Sequence, residues 1–333
     1  MKRISILLIL AFLLSACTDD TTMQPPPTVD PFADCGNGDP VSTDDSLMHN
    51  WPYPKYRISQ LRISPFNGWW AGDYLRFKTV EGETFAQGVF VYDPMRDMPI
   101  AQFDDAWGHR WSPDGKTLIL IQGFQLYRID IPSMDLRNLT EGYDVALGSW
   151  APDGSKLFFS HNGQKTPSLP NGMYSMNVDG SEKRWEGDPG AFALLLNDST
   201  FMGFKSDSLI FLHRASGLRT TKHIPELDEW PYADQLDISN SRNLIVFGTV
   251  RKGSLHDPWG NGLWLLDTKT WTPRKIRGAQ WWNNLYYPTW APNGNIYASV
   301  YCRKDSSSMI WEFDLNGNPL RRITEKTMRV WMR

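Results

Sequence analysis

A short segment that begins with Trp and contains a tight-turn sequence occurs three times in the chain. The copies are 111–116 (WSPDGK), 150–155 (WAPDGS) and 290–295 (WAPNGN). Proline fixes φ at about −65°, and Asp or Asn followed by Gly tolerates a positive φ, so each copy favours a tight turn. Because an apolar segment follows each copy, for example 118–121 (LILI), the pattern predicts a β-hairpin that is repeated along the chain.

The same unit continues in fainter form, so that the chain holds six copies. Counted at equivalent positions, the copies begin 39 to 52 residues apart. A second marker, a five-residue segment that ends in a polar residue, occurs once in each copy, and a further strand follows it. The copies begin at 63, 111, 150, 195, 238 and 290, and the second markers are 89–93, 126–130, 173–177, 209–213, 263–267 and 310–314.

Six copies of a four-stranded antiparallel unit, each about 40–50 residues long, predict an all-β protein that folds as a six-bladed β-propeller. The form WSPDGK, followed by an apolar strand, resembles the repeat of TolB-type propellers and lacks the Gly-His and Trp-Asp signature of WD repeats. The resemblance covers residues 56–333 and implies a TolB-like propeller. It does not extend to the additional α/β domain that precedes the propeller in TolB, so TolB's own function is not carried over.

The charge balance argues against a nucleic-acid partner. The 34 Lys and Arg residues against 37 Asp and Glu give a net charge of −3, and the sequence shows no basic stripe. Hydrophobic residues make up 41% of the chain and include 16 Trp, which is enough apolar material for a large core. This composition excludes wholesale disorder.

The first residues have the pattern of a secretory signal. Lys2 and Arg3 precede an apolar run over 4–14 that is too short to cross a bilayer. Residues 14–17 (LSAC) resemble the lipobox of bacterial lipoproteins. The resemblance implies cleavage before Cys17 and diacylation of its thiol, with palmitate as a typical acyl chain. The alternative is an ordinary signal peptide with an accidental cysteine.

The segment that follows is rich in Thr, Asp and Pro and lacks apolar periodicity, which is typical of a tether. We therefore divide the chain into a signal peptide over 1–16, a lipidated cysteine with a disordered tether over 17–50, and the propeller over 51–333. Thr18, rather than Asp, follows the lipidated residue, which resembles the sorting pattern for the outer membrane. We expect a monomeric propeller that is lipid-anchored in the bacterial cell envelope, on the periplasmic face or at the cell surface.

Two cysteines remain, Cys35 and Cys302. In an oxidising compartment they could form a disulfide or stay reduced. The pairing depends on ring closure, because a strand from one terminus of a propeller usually completes a blade begun at the other. The candidates for that strand are 56–59 and 328–332, and closure by the amino-terminal segment would bring the two cysteines towards each other.

Strand parity assigns the connections to two faces. The turns after the first and third strands of a blade are short and lie on one face. The connections after the second and fourth strands are long and lie on the other face, which we call the long-loop face. Long loops on a rigid scaffold often carry binding residues. The predicted long connections are 79–87, 104–110, 162–172, 226–235, 251–262 and 279–287.

The segments that lead into the innermost strands are rich in aromatic and polar residues, which suit carbohydrate rings or peptide side chains. We expect them to rim the central channel as a binding site. The alternative is that most of Trp107, Trp230, Trp281 and Trp282 only pack between blades. The repeat residues Trp111, Trp150 and Trp290 are expected to be core residues. Asp114 and Asp153 are expected to be turn residues. The candidate binding residues are Asp104, Asp105, Trp107, His109, Tyr143, Asp144, Trp230, Tyr232, Trp259, Trp281, Trp282, Asn283 and Tyr286.

Two function classes remain open. The sequence contains no nucleophile elbow, zinc-binding motif or phosphate-binding loop, so we assign no catalytic residue, metal or cofactor. The first hypothesis, which we favour, is a binding or scaffold module whose long-loop face meets a protein or a cell-envelope glycan. The second is a glycan-processing enzyme, a metal-dependent polysaccharide lyase or a hydrolase. In that case His109, His161 and His256 would meet at the channel mouth.

Overall fold

The part of the chain that the computed structural model describes folds into twenty-four β-strands and one short 3-10 turn, Pro225–Leu227, without an α-helix. No helical segment in this part is long and apolar enough to cross a membrane. The described residues are 56–78, 84–131, 133–163, 168–205, 208–227, 232–239, 242–250, 262–278, 283–302 and 307–324.

Four consecutive strands form each blade. The first blade has β1 (Tyr56–Ile63), β2 (Trp70–Lys78), β3 (Thr84–Asp93) and β4 (Met98–Asp104); the second has β5 (Ala106–Trp111), β6 (Thr117–Gln122), β7 (Gln125–Asp130) and β8 (Asp135–Asn138). The third has β9 (Val145–Trp150), β10 (Lys156–His161), β11 (Gly172–Asn177) and β12 (Arg184–Gly187); the fourth has β13 (Ala191–Asn197), β14 (Thr200–Lys205), β15 (Ser208–His213) and β16 (Arg219–His223). The fifth has β17 (Tyr232–Ser239), β18 (Leu244–Val250), β19 (Gly262–Asp267) and β20 (Pro273–Gly278); the sixth has β21 (Asn283–Trp290), β22 (Ile296–Cys302), β23 (Ser307–Phe313) and β24 (Pro319–Arg322).

Within each blade the strands pair antiparallel in chain order, which confirms the predicted six-bladed propeller. The first and sixth blades also share one parallel pair, Tyr56 with Ser307. The segment 56–59 therefore begins the innermost strand of the first blade, and the fourth strand of the sixth blade is β24. Of the two candidates for ring closure, 56–59 pairs with β2 of its own blade and reaches the sixth blade through Tyr56. The other candidate, 328–332, lies outside the described residues.

The hydrophobic core lies between neighbouring blades. Residues 118–121 of β6 are all fully buried, because alternate side chains of this strand enter two different interblade cores. Leu118 belongs to the same buried cluster as Val89 of the first blade. Ile119 belongs to the cluster that contains Phe159 of the third blade. Each blade is thus buried on both faces by its two neighbours.

The repeated turns use the side-chain chemistry that their sequence predicts. Asp114 Oδ1 accepts a hydrogen bond from Ser112 Oγ at 2.6 Å, and Gly115 takes a φ of +69°. Asp153 Oδ1 accepts a hydrogen bond from the Ser155 amide at 3.0 Å. The hydrogen bond from Ser112, followed by backbone bonds, holds the pKa of Asp114 below its usual range. The prediction that both aspartates are turn residues is confirmed.

The repeat tryptophans connect each blade to the one before it. Each indole N–H donates a hydrogen bond to a backbone carbonyl on the innermost strand of the preceding blade, a contact that we call an indole joint. The three rings pack against interblade cores, as expected of core residues, but they are half-buried and not fully buried. The indole joints run from Trp111 Nε1 to the Arg62 carbonyl (3.2 Å), from Trp150 Nε1 to the Arg110 carbonyl (3.3 Å) and from Trp290 Nε1 to the Asp237 carbonyl (3.0 Å).

The lengths of the connections differ between the two faces. After the first and third strands of the blades, the connections have two to six residues. On the long-loop face they range from one residue to the eleven of 251–261, and 162–171 separates β10 from β11. The long-loop face is therefore the more variable one, although several of its connections are short.

The predicted long connection 104–110 is wrong, and 79–87, 226–235 and 279–287 end earlier than predicted because β3 begins at Thr84, β17 at Tyr232 and β21 at Asn283. β4 ends at Asp104 and β5 begins at Ala106, so that Asp105, with a φ of +55°, is the whole connection. The Asp and Gly residues here have the composition of a loop. Gly108 lies instead within a bulge of β5, where the register to β6 shifts.

Candidate functional site

A cavity of about 360 Å³ lies in the central channel between the innermost strands. This volume is near the lower end of the range for small-ligand pockets, so the cavity fits a small ligand or a short segment of a polymer. The third and fourth blades give it an apolar side. The second and fifth blades give it what we call the charged side, where Arg110 and Asp237 lie among the apolar residues Trp107, Trp111, Leu236 and Ile238. The lining includes Leu147, Phe158, Met173 and Leu195 on the apolar side and Arg110 and Asp237 on the charged side.

Strand edges, rather than sheet faces, line much of this cavity. Consecutive residues line it in β9 (146–150), β13 (193–195) and β17 (236–238), although side chains of a strand alternate between the two faces of a sheet. Each of these strands pairs with only one neighbour, the second strand of its blade. Its other row of backbone N–H and C=O groups is therefore turned towards the channel. A chain inside the channel would meet backbone hydrogen-bonding groups there.

Bulges in the innermost strands come directly before two arginines, Arg62 and Arg110. The register of β1 shifts just before Arg62, and that of β5 shifts just before Arg110. The bulged segments contain residues with positive φ, Gln60 at +55° and Gly108 at +64°. A bulge re-aims the side chain that follows it and is common beside functional sites. The repeat thus re-aims the same position in two blades.

Arg62 and Asp237 form an ion pair between the first and fifth blades. Arg62 Nη1 lies 3.1 Å from both carboxylate oxygens of Asp237, and the two side chains are only 14% and 15% exposed. The Trp290 amide of the sixth blade also donates to Asp237, at 2.9 Å. Asp237 is therefore bound from two blades. Arg62 Nε is buried and has no hydrogen-bond partner in the described part of the chain.

Arg110 is the cation of the channel wall that has no bound carboxylate. Within the described ranges it forms no ion pair, and its side chain donates only a long hydrogen bond of 3.4 Å to the His109 carbonyl. Arg110 contributes to the cavity wall, and the rest of the residue is enclosed by protein atoms. Burial, followed by the repulsion of Arg62, lowers the pKa of Arg110 to about 9, which leaves the guanidinium charged at neutral pH.

His109 lies in β5 and is fully buried, which corrects the prediction that it belongs to a loop at the channel mouth. Its Nδ1 lies 2.7 Å from Asp73 Oδ1 of β2. Because a carboxylate accepts, Nδ1 donates this bond. Nε2 is buried and has no partner among the described residues. The pair fixes the imidazole between the first and second blades.

Comparison with known proteins identifies solved structures that share this fold. No protein-family model and no curated protein matches the sequence. A protein described as TolB from Agrobacterium tumefaciens superposes with a TM-score of 0.52 at 17% identity, over 71% of this chain and 87% of that one. The β-propeller domain of the Trilobed protease from Pyrococcus furiosus gives a TM-score of 0.50 at 14% identity, over 81% of this chain and 85% of that one.

This chain is a TolB-like six-bladed β-propeller. An acylaminoacyl peptidase from Pyrococcus horikoshii also shares the fold, with a TM-score of 0.52 at 13% identity over 84% of this chain. The chain spans about half of that enzyme, 54% of its length. Identities this low establish the fold alone, so the activity must be argued from the channel itself.

In this TolB-like propeller, Asp104 and Asp105 are exposed and are not part of the cavity wall. Asp104 accepts hydrogen bonds from the Tyr74 hydroxyl and from Gln102 Nε2, the latter at 2.8 Å. The bond from Tyr74, followed by that from Gln102, lowers the pKa of Asp104. Burial and the bond to Asp104 raise the pKa of Tyr74. Asp104 therefore belongs to a polar network within the first blade.

Trp107 is the predicted binding residue that the structure brings to the cavity. It also packs against the core between the second and third blades, with its ring edge-on to Phe124 at 5.3 Å between centroids. The Trp107 side chain therefore packs between blades, as one hypothesis predicts, and is also placed to contact a ligand, as the other predicts.

Tyr143, Asp144 and His161 meet in one cluster, away from the cavity. The Asp144 amide donates to His161 Nδ1 at 3.0 Å, and the Tyr143 ring stands edge-on to His161 at 5.6 Å. His161 is the last residue of β10 and is buried, so its predicted position in a loop of the long-loop face is wrong. Burial of this cluster favours a packing role.

Within the described ranges, no group of three His, Cys, Asp or Glu is suited to hold a metal ion.

The other predicted residues, or their side chains, lie outside what the structure describes. Tyr232, Asn283, Tyr286 and Cys302 lie in strands, but their side chains are not described. Residues outside the described ranges are Cys17, Cys35, Trp230, His256, Trp259, Trp281 and Trp282.

Sequence reasoning missed Arg62, Arg110 and Asp237. Each stands directly before the repeat motif of its blade, where the third and sixth copies have Ser149 and Thr289. A comparison of this position among the six copies would have shown charged residues at three of them. The motif is recognisable from its turn residues, whereas the residue at the preceding position varies among the copies.

Proposed function

We propose that this protein is a non-catalytic binding module of the bacterial cell envelope and that it holds a segment of a protein partner in the central channel. The observation that carries the proposal is the cavity of about 360 Å³, which combines open strand edges with an apolar and a charged side. Extended peptides commonly pair with an exposed strand edge and place alternate side chains in adjoining pockets.

A protein segment suits the wall better than a glycan does. A sugar ring presents many hydroxyls, each of which needs a directed hydrogen-bond partner. The lining beside Leu147, Phe158, Met173 and Leu195 offers aliphatic and aromatic carbon instead. Apolar side chains of a peptide would bury their surface there, at about 25 cal/mol per Å². The glycan partner is therefore the weaker candidate.

The membrane anchor is a separate part of the proposal. Acyl chains on Cys17 would hold the protein at the outer membrane, because more than one chain gives a stable attachment. Replacement of Cys17 by Ser is expected to move the protein from the membrane fraction to the soluble fraction and to abolish labelling with a palmitate analogue. Retention in the membrane fraction without any label would contradict lipidation.

Site-specific photo-crosslinking in the native host tests the channel. A benzophenone amino acid in place of Leu147 faces the cavity, and the same amino acid in place of Leu218, an exposed turn residue, is the matched control. We expect a discrete crosslinked protein for position 147 that is absent for position 218. A product of the same mass at both positions, or none at 147, would contradict binding in the channel.

A further inference from the structure

We propose that the channel recognises a carboxylate on its peptide ligand, and that Arg110 is the group that binds this carboxylate. The inference rests on the proposed function and adds the chemical class of the ligand group. It uses three observations: a cation without a hydrogen-bonded carboxylate, a fixed ion pair beside it, and an apolar wall in the same cavity.

The first observation is the state of Arg110. Arg110 lines the cavity, and its guanidinium stays charged at neutral pH and makes only a 3.4 Å contact with a backbone carbonyl. A guanidinium has five N–H donors in a planar fork that matches a carboxylate. A cation held among protein atoms gains more from an anion than one in bulk water does, since the local dielectric is lower. A carboxylate in the cavity would therefore supply the missing partner.

The second observation explains why the cation is Arg110 and not Arg62. Asp237 is already held by Arg62 Nη1 and by the Trp290 amide, and it acts on Arg110 through charge attraction without a hydrogen bond. The carboxylate of Asp73 is bound in turn to His109. Both nearby acids thus have fixed partners. The unpartnered Arg62 Nε adds a second buried donor to the same region.

The third observation selects a peptide carboxylate. In the same cavity as Arg110, Leu147, Phe158 and Leu195 form an apolar wall, and the edges of β9 and β13 offer backbone groups. A ligand with an apolar side chain, a peptide backbone and a carboxylate would use all three features. A fatty acid would leave the strand edges unpaired, and a sugar acid would leave the apolar wall unused.

The test uses the purified full chain in detergent and four small probes in isothermal titration at millimolar concentration. The probes are N-acetyl-Leu-Leu with a free carboxylate, its carboxamide, octanoate and glucuronate. We expect the dipeptide carboxylate to bind about tenfold more tightly than the carboxamide, because the charge-assisted hydrogen bonds are lost with the charge. We expect octanoate and glucuronate to bind more weakly than the dipeptide carboxylate.

Four variants separate the inference from the proposed function. R110Q is expected to abolish the preference for carboxylate, R110K to retain part of it, and the exposed control R96Q to leave it unchanged. L147W, which fills the cavity, is expected to abolish all binding. If L147W abolishes binding while R110Q keeps the preference, the inference is wrong and the channel function stands. If L147W binds as the wild type does, both are wrong.

Every other outcome also decides the question. Absence of dipeptide binding to the wild type overturns the inference, and so does tighter binding of octanoate or glucuronate. If R110Q does not fold, the comparison of carboxylate with carboxamide on the wild type and on R110K still applies. Equal affinity of the two dipeptides for the wild type would then overturn it.

Discussion

The charged and the apolar sides of the channel are held together in different ways, although both are built from the same repeat. On the charged side, Arg62 reaches from the first blade to Asp237 of the fifth. On the apolar side, Phe158 of the third blade packs edge-on against Phe201 of the fourth, at 5.3 Å between centroids. The turns and the indole joints keep the blades equivalent, while the residues that face the channel are free to differ.

The first prediction concerns the apolar side and has the largest expected effect. Phe158→Ala should lower the free energy of unfolding by about 4 kcal/mol, because a fully buried aromatic ring is lost and leaves a cavity. Chemical denaturation measures the loss. Phe66→Ala, at an exposed position of the β1–β2 turn, is the control and should change stability by less than about 0.5 kcal/mol. A similar loss for both variants would contradict the assignment of Phe158 to the buried core and of Phe66 to the surface.

The second prediction concerns the charged side. Asp237→Asn should lower the free energy of unfolding by about 3 kcal/mol, because Arg62 loses its carboxylate while the amide oxygen can still accept from Trp290. Adding Arg62→Met should restore part of this loss, since no cation is then left unpaired. A double-mutant cycle measures the coupling. Strictly additive losses would mean that the ion pair does not connect the blades energetically.

The third prediction tests a feature that the two sides share. Trp150→Phe removes one indole joint and keeps a large aromatic ring, so we expect a loss of about 1 kcal/mol in unfolding free energy. Trp185→Phe is the matched control, because its half-exposed indole donates to the Asn171 carbonyl where water can replace it. Equal effects of the two variants on the denaturation midpoint would argue against the joint.

The fourth and smallest effect is a pH dependence at the outer side of the third and fourth blades. Burial alone would raise the pKa of Glu186, but hydrogen bonds from Arg214 (3.0 Å) and Ser175 (2.6 Å) outweigh it, so the pKa lies below its usual value. The folded state therefore favours the carboxylate. Its stabilisation is present above the unfolded pKa of about 4.3 and is lost as the pH falls through the lower folded value.

Denaturation of the wild type and Glu186→Gln at pH 7 and at about pH 3 measures this contribution. The wild type should lose more stability than the variant on acidification, by less than about 1 kcal/mol, since one partly screened group is involved. Parallel losses in both proteins would contradict the assignment.

The blades and their turns could be predicted because the information is local. In WSPDGK, Pro113, Asp114 and Gly115 each favour the observed turn, and the apolar strand after them follows a recognisable pattern. The extent of β5 was less accessible. Asp104, Asp105 and Gly108 suggest a loop, but pairing with β6 overrides this preference and confines the connection to one residue.

The site could not be predicted in the same way because its parts are distant in sequence. Arg62 and Asp237 are 175 residues apart, and only closure of the ring brings them together. His109 is similar, since its partner Asp73 lies 36 residues earlier on a strand of another blade. Histidine and tryptophan were predicted as site residues because of their binding chemistry. The residues that give the channel its charge are ordinary arginines and an aspartate.

The indole joints have a consequence for how such a protein can diversify. Each joint ends on a main-chain carbonyl, so it forms whatever side chain the acceptor residue carries; Arg62, Arg110 and Asp237 are acceptors of opposite charge. The diameter of the channel therefore does not depend on which side chains line it. Substitution at those positions can give the channel a new chemistry without changing its diameter.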